Sequence, residues 1–410
     1  MGTVDIQQSD GIQDMRKDDR GVHSEERIID AVIPSFYPDE KLLKLVDLLE
    51  KQTEELRAIR IINTEKAGLE KLLSRAAAAD AAREKTPQAV VENAEAPAAG
   101  TDTKPEKSED PGDVIATWLA RHPLVKVTQI EQSEFDHGGT RHLGMELSWD
   151  ADYVLFMTQD AVPQDENLVA ELLKPFLQNE NAAKQQSGQN ENLVKEQPEQ
   201  DKNPAAMPQE QAIAVSYARQ LPAEDARAAE QYSRTFNYPA QSRIKSAKDI
   251  EDLGIKTFFC SNVCAMYRRK LYEEIGPFPS PVIFNEDMVY AGRAVQAGYS
   301  IAYAADAKVI HSHNYSAKQQ FHRNFDLGVS QADHPEIFAK VSSEGEGVQY
   351  AKRVVKYLWK NGRGEIPGFL WTCGWRLIGY RLGKNYRKLS EKQIAKYTMN
   401  PAYWEHTKKR

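Results

Sequence analysis

A strand–helix–strand pattern near the start of the chain constrains its fold more than any other sequence feature. Residues 28–34 form a short, apolar, β-branched run that ends at a proline, which predicts a buried strand. Residues 38–49 carry leucine and valine at helical spacing, and residues 56–62 form a second apolar run. Two strands joined by a helix at this spacing predict a βαβ unit, which requires a parallel sheet.

Further apolar runs extend this sheet. The run at 153–157 is strongly apolar and predicts a strand in the middle of the sheet, followed by a helix over 167–177. Other strands are predicted at 125–127, 212–217, 256–260, 301–303 and 308–310, with short helices at 143–149 and 268–275. The chain is therefore predicted to be an α/β protein with a Rossmann-like, mostly parallel central sheet flanked by helices.

Composition divides the chain into regions. Residues 1–26 are polar and lack periodicity, which predicts a disordered extension. Residues 27–316 carry the α/β pattern as one domain, interrupted by low-complexity insertions at about 74–113 and about 178–209. Residues 317–410 are predicted to form a helical, basic C-terminal region.

The formal charge of −7 hides a split. Residues 351–410 hold 15 Lys and Arg against three Glu, a net charge of +12, so the rest of the chain carries −19. Aromatic residues stand among these cations, including Trp359, Trp371, Trp375, Tyr380 and Tyr386. This composition fits contact with an anionic membrane surface, and it fits equally a packed helical region with a basic exterior.

The cysteines and the N-terminus indicate the compartment. The chain has three cysteines, Cys260, Cys264 and Cys373, which argues against a disulfide framework and, with a single C-x3-C pair, against a zinc site. The N-terminal stretch lacks the apolar core of a signal peptide. No run approaches the roughly 18–20 apolar residues that cross a bilayer. We expect a cytoplasmic protein, with peripheral contact at the inner face of the cell membrane.

Acidic residues stand at two positions that suit chemistry. Asp160 follows the strand at 153–157, where ligands of open α/β sheets gather, and a carboxylate there can hold a divalent cation that bridges a diphosphate. Glu286 and Asp287 precede a predicted helix, where a carboxylate can act as general base on an acceptor hydroxyl. The alternative interpretations are an Asp in a turn and acidic residues that favour a helix N-terminus.

A histidine pair and a glycine turn are two further candidates. His311 and His313 follow a predicted strand, and residues two apart on an extended segment point to the same side, so both can complete a metal shell. Gly138 and Gly139 open a helix that carries Arg141, an arrangement that can hold phosphate. Structural histidines and an ordinary glycine turn are the alternatives.

The order of these motifs resembles the inverting family 2 glycosyltransferases of the GT-A fold, and in particular their bacterial rhamnosyltransferase branch. The matching segments are AVIPSFYP at 31–38, FDHGGTR at 135–141, TQDA at 158–161, FFCSNVC at 258–264, FNEDM at 284–288 and HSHNYS at 311–316. The resemblance spans about 27–404 apart from the two insertions. It implies a GT-A nucleotide-diphospho-sugar transferase fold.

The resemblance also implies a role for each matching residue. Asp160 is expected to bind Mn²⁺ or Mg²⁺; Thr158 replaces the first carboxylate of the family motif, and the histidines at 311 and 313 can compensate. Asp287 is expected to be the catalytic base, with Glu286 beside it. Nucleotide-sugar contacts are expected at Pro34, Ser35, Tyr37, Glu65, Gly138, Gly139, Arg141 and Gln159, and acceptor contacts at Ser261 and Asn262.

The implied reaction is a single inverting displacement. The metal neutralises the diphosphate that leaves, and the base activates the acceptor hydroxyl. The resemblance implies dTDP-β-L-rhamnose as donor and a polymeric or lipid-linked cell-surface glycan as acceptor, with no role for nucleic acid. A family 2 enzyme that uses a UDP-hexose donor is the nearest alternative.

Two other classes of protein share some of these features. Sugar-nucleotide pyrophosphorylases use a G-x-G-T-R loop, but that loop follows their first strand, whereas Gly138 lies over a hundred residues beyond Ile28 here. A catalytically degenerate glycan-assembly or binding subunit fits the single carboxylate at Asp160, but it does not explain the Glu-Asp pair at 286–287. The transferase is therefore the favoured interpretation.

Overall fold

The computed structural model describes residues 27–84, 111–194, 212–339 and 344–407, and the extension predicted at 1–26 lies outside them. The strands in these ranges are β1 Ile29–Ser35, β2 Ala58–Asn63, β3 Val125–Gln129, β4 Tyr153–Met157, β5 Val162–Pro163, β6 Ile213–Leu221, β7 Arg243–Lys245, β8 Cys264–Arg268 and β9 Ser300–Ile310. They form one sheet in the order β3-β2-β1-β4-β8-β6-β9-β5, and β7 pairs with β9.

Most of the sheet runs in one direction. β1 is parallel to β2 and β4, β2 is parallel to β3, and β6 is parallel to β9. β8 runs antiparallel between β4 and β6, so these two strands also share a direction. The prediction of an α/β fold with a mostly parallel sheet is confirmed. As a result, the carboxyl ends of β1, β4, β6 and β9 meet along one edge, which we call the catalytic edge.

Helices cover both faces of the sheet. In chain order they are α1 Glu40–Leu49, α2 Lys66–Glu84, α3 Pro111–Arg121, α4 His137–Leu147, α5 Leu168–Val194, α6 Ala228–Asn237, α7 Ile250–Leu253, α8 Arg269–Ile275 and α9 Glu286–Gln296. Helices α1, α2, α3 and α5 pack on one face, and α4, α8 and α9 pack on the other. Every residue of β4 is buried, as expected for a strand covered on both faces.

Helices extend into both of the predicted low-complexity insertions. Helix α2 continues to Glu84 and α3 begins at Pro111, while α5 continues to Val194, well past the predicted end at 177. Alanine, glutamate, lysine and glutamine are good helix formers, so a segment that is low in complexity can still prolong a packed helix. Residues 85–110 and 195–211 lie outside the described residues.

Three other predicted elements need correction. The strand predicted at 256–260 is wrong, because Gly254–Phe258 is a 3-10 helix whose apolar side chains fill the core; a short apolar run does not distinguish the two. The strands predicted at 301–303 and 308–310 are one strand, β9, with a register shift between them. Helix α4 begins earlier than the predicted 143, since Asp136 caps it.

The predicted helical C-terminal region is confirmed in the described residues. Its helices are α10 Ala317–Asp333, α11 Pro335–Phe338, α12 Glu344–Asn361, α13 Ile366–Lys384, α14 Glu391–Tyr397 and α15 Pro401–Thr407. Helices α10 and α13 cross closely, because a Cβ at Gly379 would lie 2.3 Å from the Phe321 carbonyl oxygen. None of the helices that the structure describes has both the length and the apolar character needed to traverse a bilayer.

The thiols are separate from one another. Cys260 and Cys264 are buried free cysteines, and Cys373 on α13 is a half-buried one. Burial raises the pKa of the Cys260 and Cys264 thiols, so both stay protonated and behave as small apolar core residues.

Candidate active site

Three predicted metal ligands follow strand ends at the catalytic edge. Asp160 follows β4, and His311 and His313 follow β9. Because β4 and β9 point in the same direction, their carboxyl ends bring these segments together. The Thr158 carbonyl accepts the Ala161 N–H at 3.0 Å, which closes the turn that presents Asp160.

The side chains of Asp160, His311 and His313 converge on one point, and we call them the metal triad. The Asp160 Oδ2 atom lies 3.2 Å from His313 Nε2 and 3.5 Å from His311 Nε2. The two Nε2 atoms are 3.1 Å apart. For a small divalent ion with ligand distances of about 2.0–2.1 Å, neighbouring octahedral ligands are about 3 Å apart. The spacing of the three donor atoms therefore fits three adjacent ligand positions of one cation.

The protonation of the triad also suits a cation. Gln220 Oε1 lies 3.1 Å from His311 Nδ1 and also accepts from Arg234, so His311 must donate through Nδ1. That hydrogen bond leaves the His311 Nε2 lone pair facing Asp160. Burial opposes ionisation of Asp160, but the two adjacent histidines outweigh it and hold the pKa of the carboxyl well below its usual range. Burial lowers the pKa of His311, which favours the neutral imidazole that binds metals.

The predicted carboxylate pair lies at the start of α9. Glu286 is buried, and its Oε1 atom is 3.1 Å from both Arg141 Nη1 and Asn262 Nδ2. Burial would raise the pKa of Glu286, yet the charge of Arg141, together with His137 and the hydrogen bond from Asn262, outweighs it, and the net effect is a lowered pKa. Burial and the neighbouring Glu286 charge raise the pKa of Asp287 to about 7. The two carboxyls therefore differ in protonation: Glu286 stays ionised, whereas Asp287 has a pKa near neutrality.

Asn262, predicted on the acceptor side, holds both carboxylates in place. Its backbone N–H donates to Asp287 Oδ2 at 2.9 Å, while its side-chain amide donates to Glu286. The Tyr267 hydroxyl donates to Asn262 Oδ1 at 2.7 Å, which fixes the orientation of the amide. The neighbouring Ser261 hydroxyl accepts from Gln220 Nε2 at 3.0 Å. The segment at 261–262 thus links the carboxylate pair to the metal triad through Gln220.

The glycine turn has a packing role in the structure. A Cβ at Gly138 would lie 1.8 Å from the Pro279 carbonyl oxygen, so only glycine fits there. The Gly139 N–H donates to Asp136 at 2.6 Å, and Arg141 binds Glu286. These groups already have protein partners, and their predicted contact with the nucleotide sugar stays a prediction.

The predicted nucleotide residues lie at the ends of β1 and β2. Gln159 binds both backbone groups of Phe36, at 2.9 and 3.0 Å, and so ties the loop after β1 to the turn that carries the metal triad. Pro34 and Ser35 are the last two residues of β1, and Tyr37 in the loop that follows takes a positive φ of 43°. Glu65, just beyond β2, is half-buried. These residues lie at the carboxyl ends of β1, β2 and β4, and their contact with a nucleotide sugar stays a prediction.

Buried hydroxyls at the same edge have no partner. The hydroxyl oxygens of Ser35, Thr64 and Thr158 are buried and make no hydrogen bond within the described residues. A buried polar group without a partner costs about 1–3 kcal/mol, so such groups point to a ligand that is bound during function. Ser35 is the last residue of β1, and Thr64 and Thr158 directly follow β2 and β4, at the strand ends where nucleotides bind in open α/β sheets.

A cavity of 570 Å³ joins the triad and the carboxylate pair. Its walls also include Arg323 of α10, Tyr350 of α12 and Arg376 of α13, none of which the sequence motifs identified. The Arg323 guanidinium lies 4.6 Å from the Phe284 ring and 5.9 Å from the Tyr315 ring, between the segments that carry the two groups. The C-terminal helices therefore form part of the candidate active site.

The missed residues left little signal in the sequence. Arg323 is one basic residue in a basic region, and only folding places it against two aromatic rings. Gln220 offered a clue, because it is a polar residue at the end of a buried strand. That position is the one from which a side chain reaches the catalytic edge.

Comparisons with known proteins give two clear relatives. No protein-family model matches the chain. The O-antigen chain rhamnosyltransferase WbaN of Salmonella anatum is 38% identical over 278 residues, which cover 68% of this chain and 78% of that protein. The O-antigen chain rhamnosyltransferase RfbN of Salmonella typhimurium is 36% identical over 283 residues, covering 69% and 80% respectively.

Similarity to solved structures is weaker. The mannosyltransferase PcManGT of Pyrobaculum calidifontis, solved with GDP-Man and Mn²⁺, has a TM-score of 0.43 at 11% identity, covering 93% of this chain and 85% of that one. Residues 1–349 of TarS from S. aureus, solved with UDP-GlcNAc, have a TM-score of 0.39 at 11% identity, covering 88% and 92%. Because these TM-scores are below 0.5, the description of the fold and the site rests on the strand order and on the geometry of the site itself.

Proposed function

The chain belongs to the family of bacterial O-antigen chain rhamnosyltransferases and is a glycosyltransferase; on that premise we propose that it transfers L-rhamnose from dTDP-β-L-rhamnose, with inversion, to a cell-surface or lipid-linked glycan. One observation supports this mechanism above all others. The metal triad and the Glu286–Asp287 pair line the same cavity, so a leaving diphosphate and an attacking hydroxyl can be served together.

The triad serves the leaving group in this proposal. Asp160, His311 and His313 would hold Mn²⁺ or Mg²⁺, and a divalent cation there neutralises charge on a diphosphate. Gln220 fixes the ring orientation of His311, and partners of this kind tune metal affinity. Arg323, which lies between the triad and the carboxylate pair, would face the same developing charge from the other side.

Asp287 serves the acceptor. With a pKa of about 7 it can take the proton from the acceptor hydroxyl as the oxygen attacks the anomeric carbon and the bond to the diphosphate breaks. Glu286 stays ionised, because Arg141 binds it, and it raises the proton affinity of its neighbour. Asn262 holds both carboxylates, so Ser261 and Asn262 belong to the acceptor side of the cavity.

The nucleotide would bind beside β1 and β2. Ser35 ends β1, Tyr37 lies in the loop after it, and Glu65 lies just beyond β2. The unpartnered hydroxyl of Ser35 supports a polar ligand at this place. Gln159 couples the loop to the turn of Asp160, so the nucleotide and the cation would be positioned by one rigid unit.

The basic C-terminal region would make the peripheral membrane contact at the inner face of the cell membrane. Trp359 and Trp371 are 59% and 65% exposed, and lysine and arginine residues surround them in sequence. Exposed tryptophan beside cations suits the headgroup layer of an anionic bilayer. Sedimentation with anionic vesicles tests this, since Trp371→Ser should lower the bound fraction; equal sedimentation would exclude a role for that side chain.

The test of the proposed function is nucleotide release from defined donors. Purified protein is offered dTDP-rhamnose, UDP-glucose, UDP-galactose and GDP-mannose in turn, with Mn²⁺ or with EDTA. We expect metal-dependent release of dTDP from dTDP-rhamnose, and its loss in Asp160→Asn. Release from UDP-hexoses alone would contradict the rhamnose assignment. Absence of both release and binding with every donor would favour a degenerate binding subunit.

A further inference from the structure

A second, apolar concavity lies among the C-terminal helices. It encloses 600 Å³ between α10, α12 and α13, and we call it the α12–α13 groove. Much of its wall is apolar, including Leu327, Val348, Val355, Leu370 and Leu377. Val348 is 57% exposed, Leu370 50% and Leu377 44%. Covering such side chains is favourable by about 25 cal/mol for each Å² of apolar surface removed from water.

The α12–α13 groove is continuous with the 570 Å³ cavity that joins the metal triad and the carboxylate pair, which we call the catalytic cavity. Asn324, Leu327, Gln331, Tyr350 and Arg376 line both concavities. An elongated molecule can therefore place one end beside the carboxylate pair and lay the other along the groove. A protein partner or a second copy of the chain would cover the groove from outside and would have no reason to enter the cavity.

The side chain of Arg376 lies where the two concavities meet. The Arg376 guanidinium lies 5.6 Å from the Tyr350 ring, and it also lines an adjoining polar pocket. Glu365 lines that pocket too, but its carboxylate accepts the backbone N–H groups of Ala228 and Ala229. Arg323 adds a second positive charge in the cavity. The junction thus offers cations to an anion that lies between a polar end and an apolar end.

We propose that the α12–α13 groove binds the hydrocarbon chain of a phosphate-linked lipid acceptor, with its phosphate at Arg376 and its glycan end in the catalytic cavity. This inference rests on the proposed function, because it names the class of acceptor for the same site. A free glycan would gain nothing from the apolar wall, whereas a lipid chain needs no hydrogen bonds and buries that wall. The polar, anionic and apolar parts of such a molecule match the cavity, Arg376 and the groove in order.

The test compares three probes on the full-length protein by titration calorimetry: farnesyl phosphate, farnesol and inorganic phosphate. We expect farnesyl phosphate to bind most tightly. Leu377→Asp and Val348→Asp, on opposite walls, should each weaken its binding by about tenfold or more, because a charge enters the apolar wall. Arg376→Gln should remove the preference for farnesyl phosphate over farnesol. Both aspartate changes are at exposed positions, so they should leave the fold intact.

Ile378→Asp is the matched control. Ile378 neighbours Leu377 on α13 and is 49% exposed, but it does not line the groove. It should bind farnesyl phosphate within about twofold of wild type. An equal loss in Ile378→Asp and Leu377→Asp would overturn the proposal, because the lipid would then bind the outer surface. Farnesyl phosphate binding no tighter than inorganic phosphate would overturn it as well.

A donor measurement separates this inference from the proposed function. Metal-dependent dTDP release is recorded for Leu377→Asp and Val348→Asp, and we expect it to stay near wild type because these two residues do not line the cavity of the metal triad. Release of dTDP from the donor, without lipid binding that depends on the groove, would contradict the lipid site and leave the proposed function standing. Groove-dependent lipid binding without release from dTDP-rhamnose would overturn the donor assignment and leave the lipid site standing.

Discussion

Neutralising Glu286 should extend the activity of the enzyme to lower pH. Asp287 must be ionised to accept a proton, and burial together with the Glu286 charge raises its pKa to about 7. In Glu286→Gln that neighbouring charge is gone, and Arg141 loses its anion and acts on Asp287 alone. Both changes favour the ionised carboxyl, so the pKa of Asp287 falls. The acidic limb of kcat/KM then moves to lower pH.

The size of the effect follows from the ionised fraction of Asp287. With a pKa of about 7, roughly 9% of the carboxyl is ionised at pH 6 and roughly 91% at pH 8, a ratio of about 0.1. If the pKa falls to about 6, the ratio of kcat/KM at pH 6 to that at pH 8 rises to about 0.5. A fivefold change in a ratio is measurable even if the variant is slower overall.

The assay is dTDP release with saturating metal and constant ionic strength, from pH 5.5 to about 9. Glu146→Gln is the control, because Glu146 lies on the same helix as Arg141 but is exposed. The Glu286 variant should also melt at lower temperature, since it leaves a buried guanidinium without its partner. An acidic limb that stays in place would refute the reasoning, because it would assign the limb to a group other than Asp287.

Three further predictions address the base, the metal triad and the helical region. Asp287→Asn should lower kcat by about 10²–10⁴ while donor-induced thermal stabilisation persists; loss of both would indicate a structural role. Gln220→Leu should weaken Mn²⁺ binding about 10–100-fold with all three ligands intact, and unchanged affinity in a Mn²⁺ titration would show that Gln220 does not orient His311. Gly379→Ala should destabilise the protein by about 1–3 kcal/mol, because its Cβ would meet the Phe321 carbonyl, whereas Gly374→Ala on the same helix has open space; equal melting temperatures would contradict the close crossing of α10 and α13.

Local sequence patterns were sufficient to predict the α/β core. The strands at the start of the chain are apolar runs bounded by turn residues, and β4 matches its predicted range of 153–157. Such strands can be predicted from sequence, because a strand that is buried on both faces needs an unbroken run of apolar residues. The segment at 256–260 shows the limit of this signal, since the same apolar side chains reach the core from a 3-10 helix.

The site was predictable only in part, because its key contacts join distant segments. The carboxylate pair could be identified because Glu286 and Asp287 are adjacent in sequence. The difference between their pKa values depends on Arg141, which folding brings to Glu286 from another helix. The histidine pair was correctly predicted to converge with Asp160, since strand-end geometry determines it. Arg323 and Arg376 enter the cavity from the C-terminal helices, and no strand-end rule identifies them.

The direction of β6 has a practical consequence for handling the protein. The chain re-enters the described fold at Ile213, the amino end of β6, after the segment at 195–211. The metal triad follows the carboxyl ends of β4 and β9, which run in the same direction as β6, so this point of entry lies at the opposite end of the strands. An affinity tag inserted just before β6 would therefore join the sheet at the end of the strands opposite the metal triad.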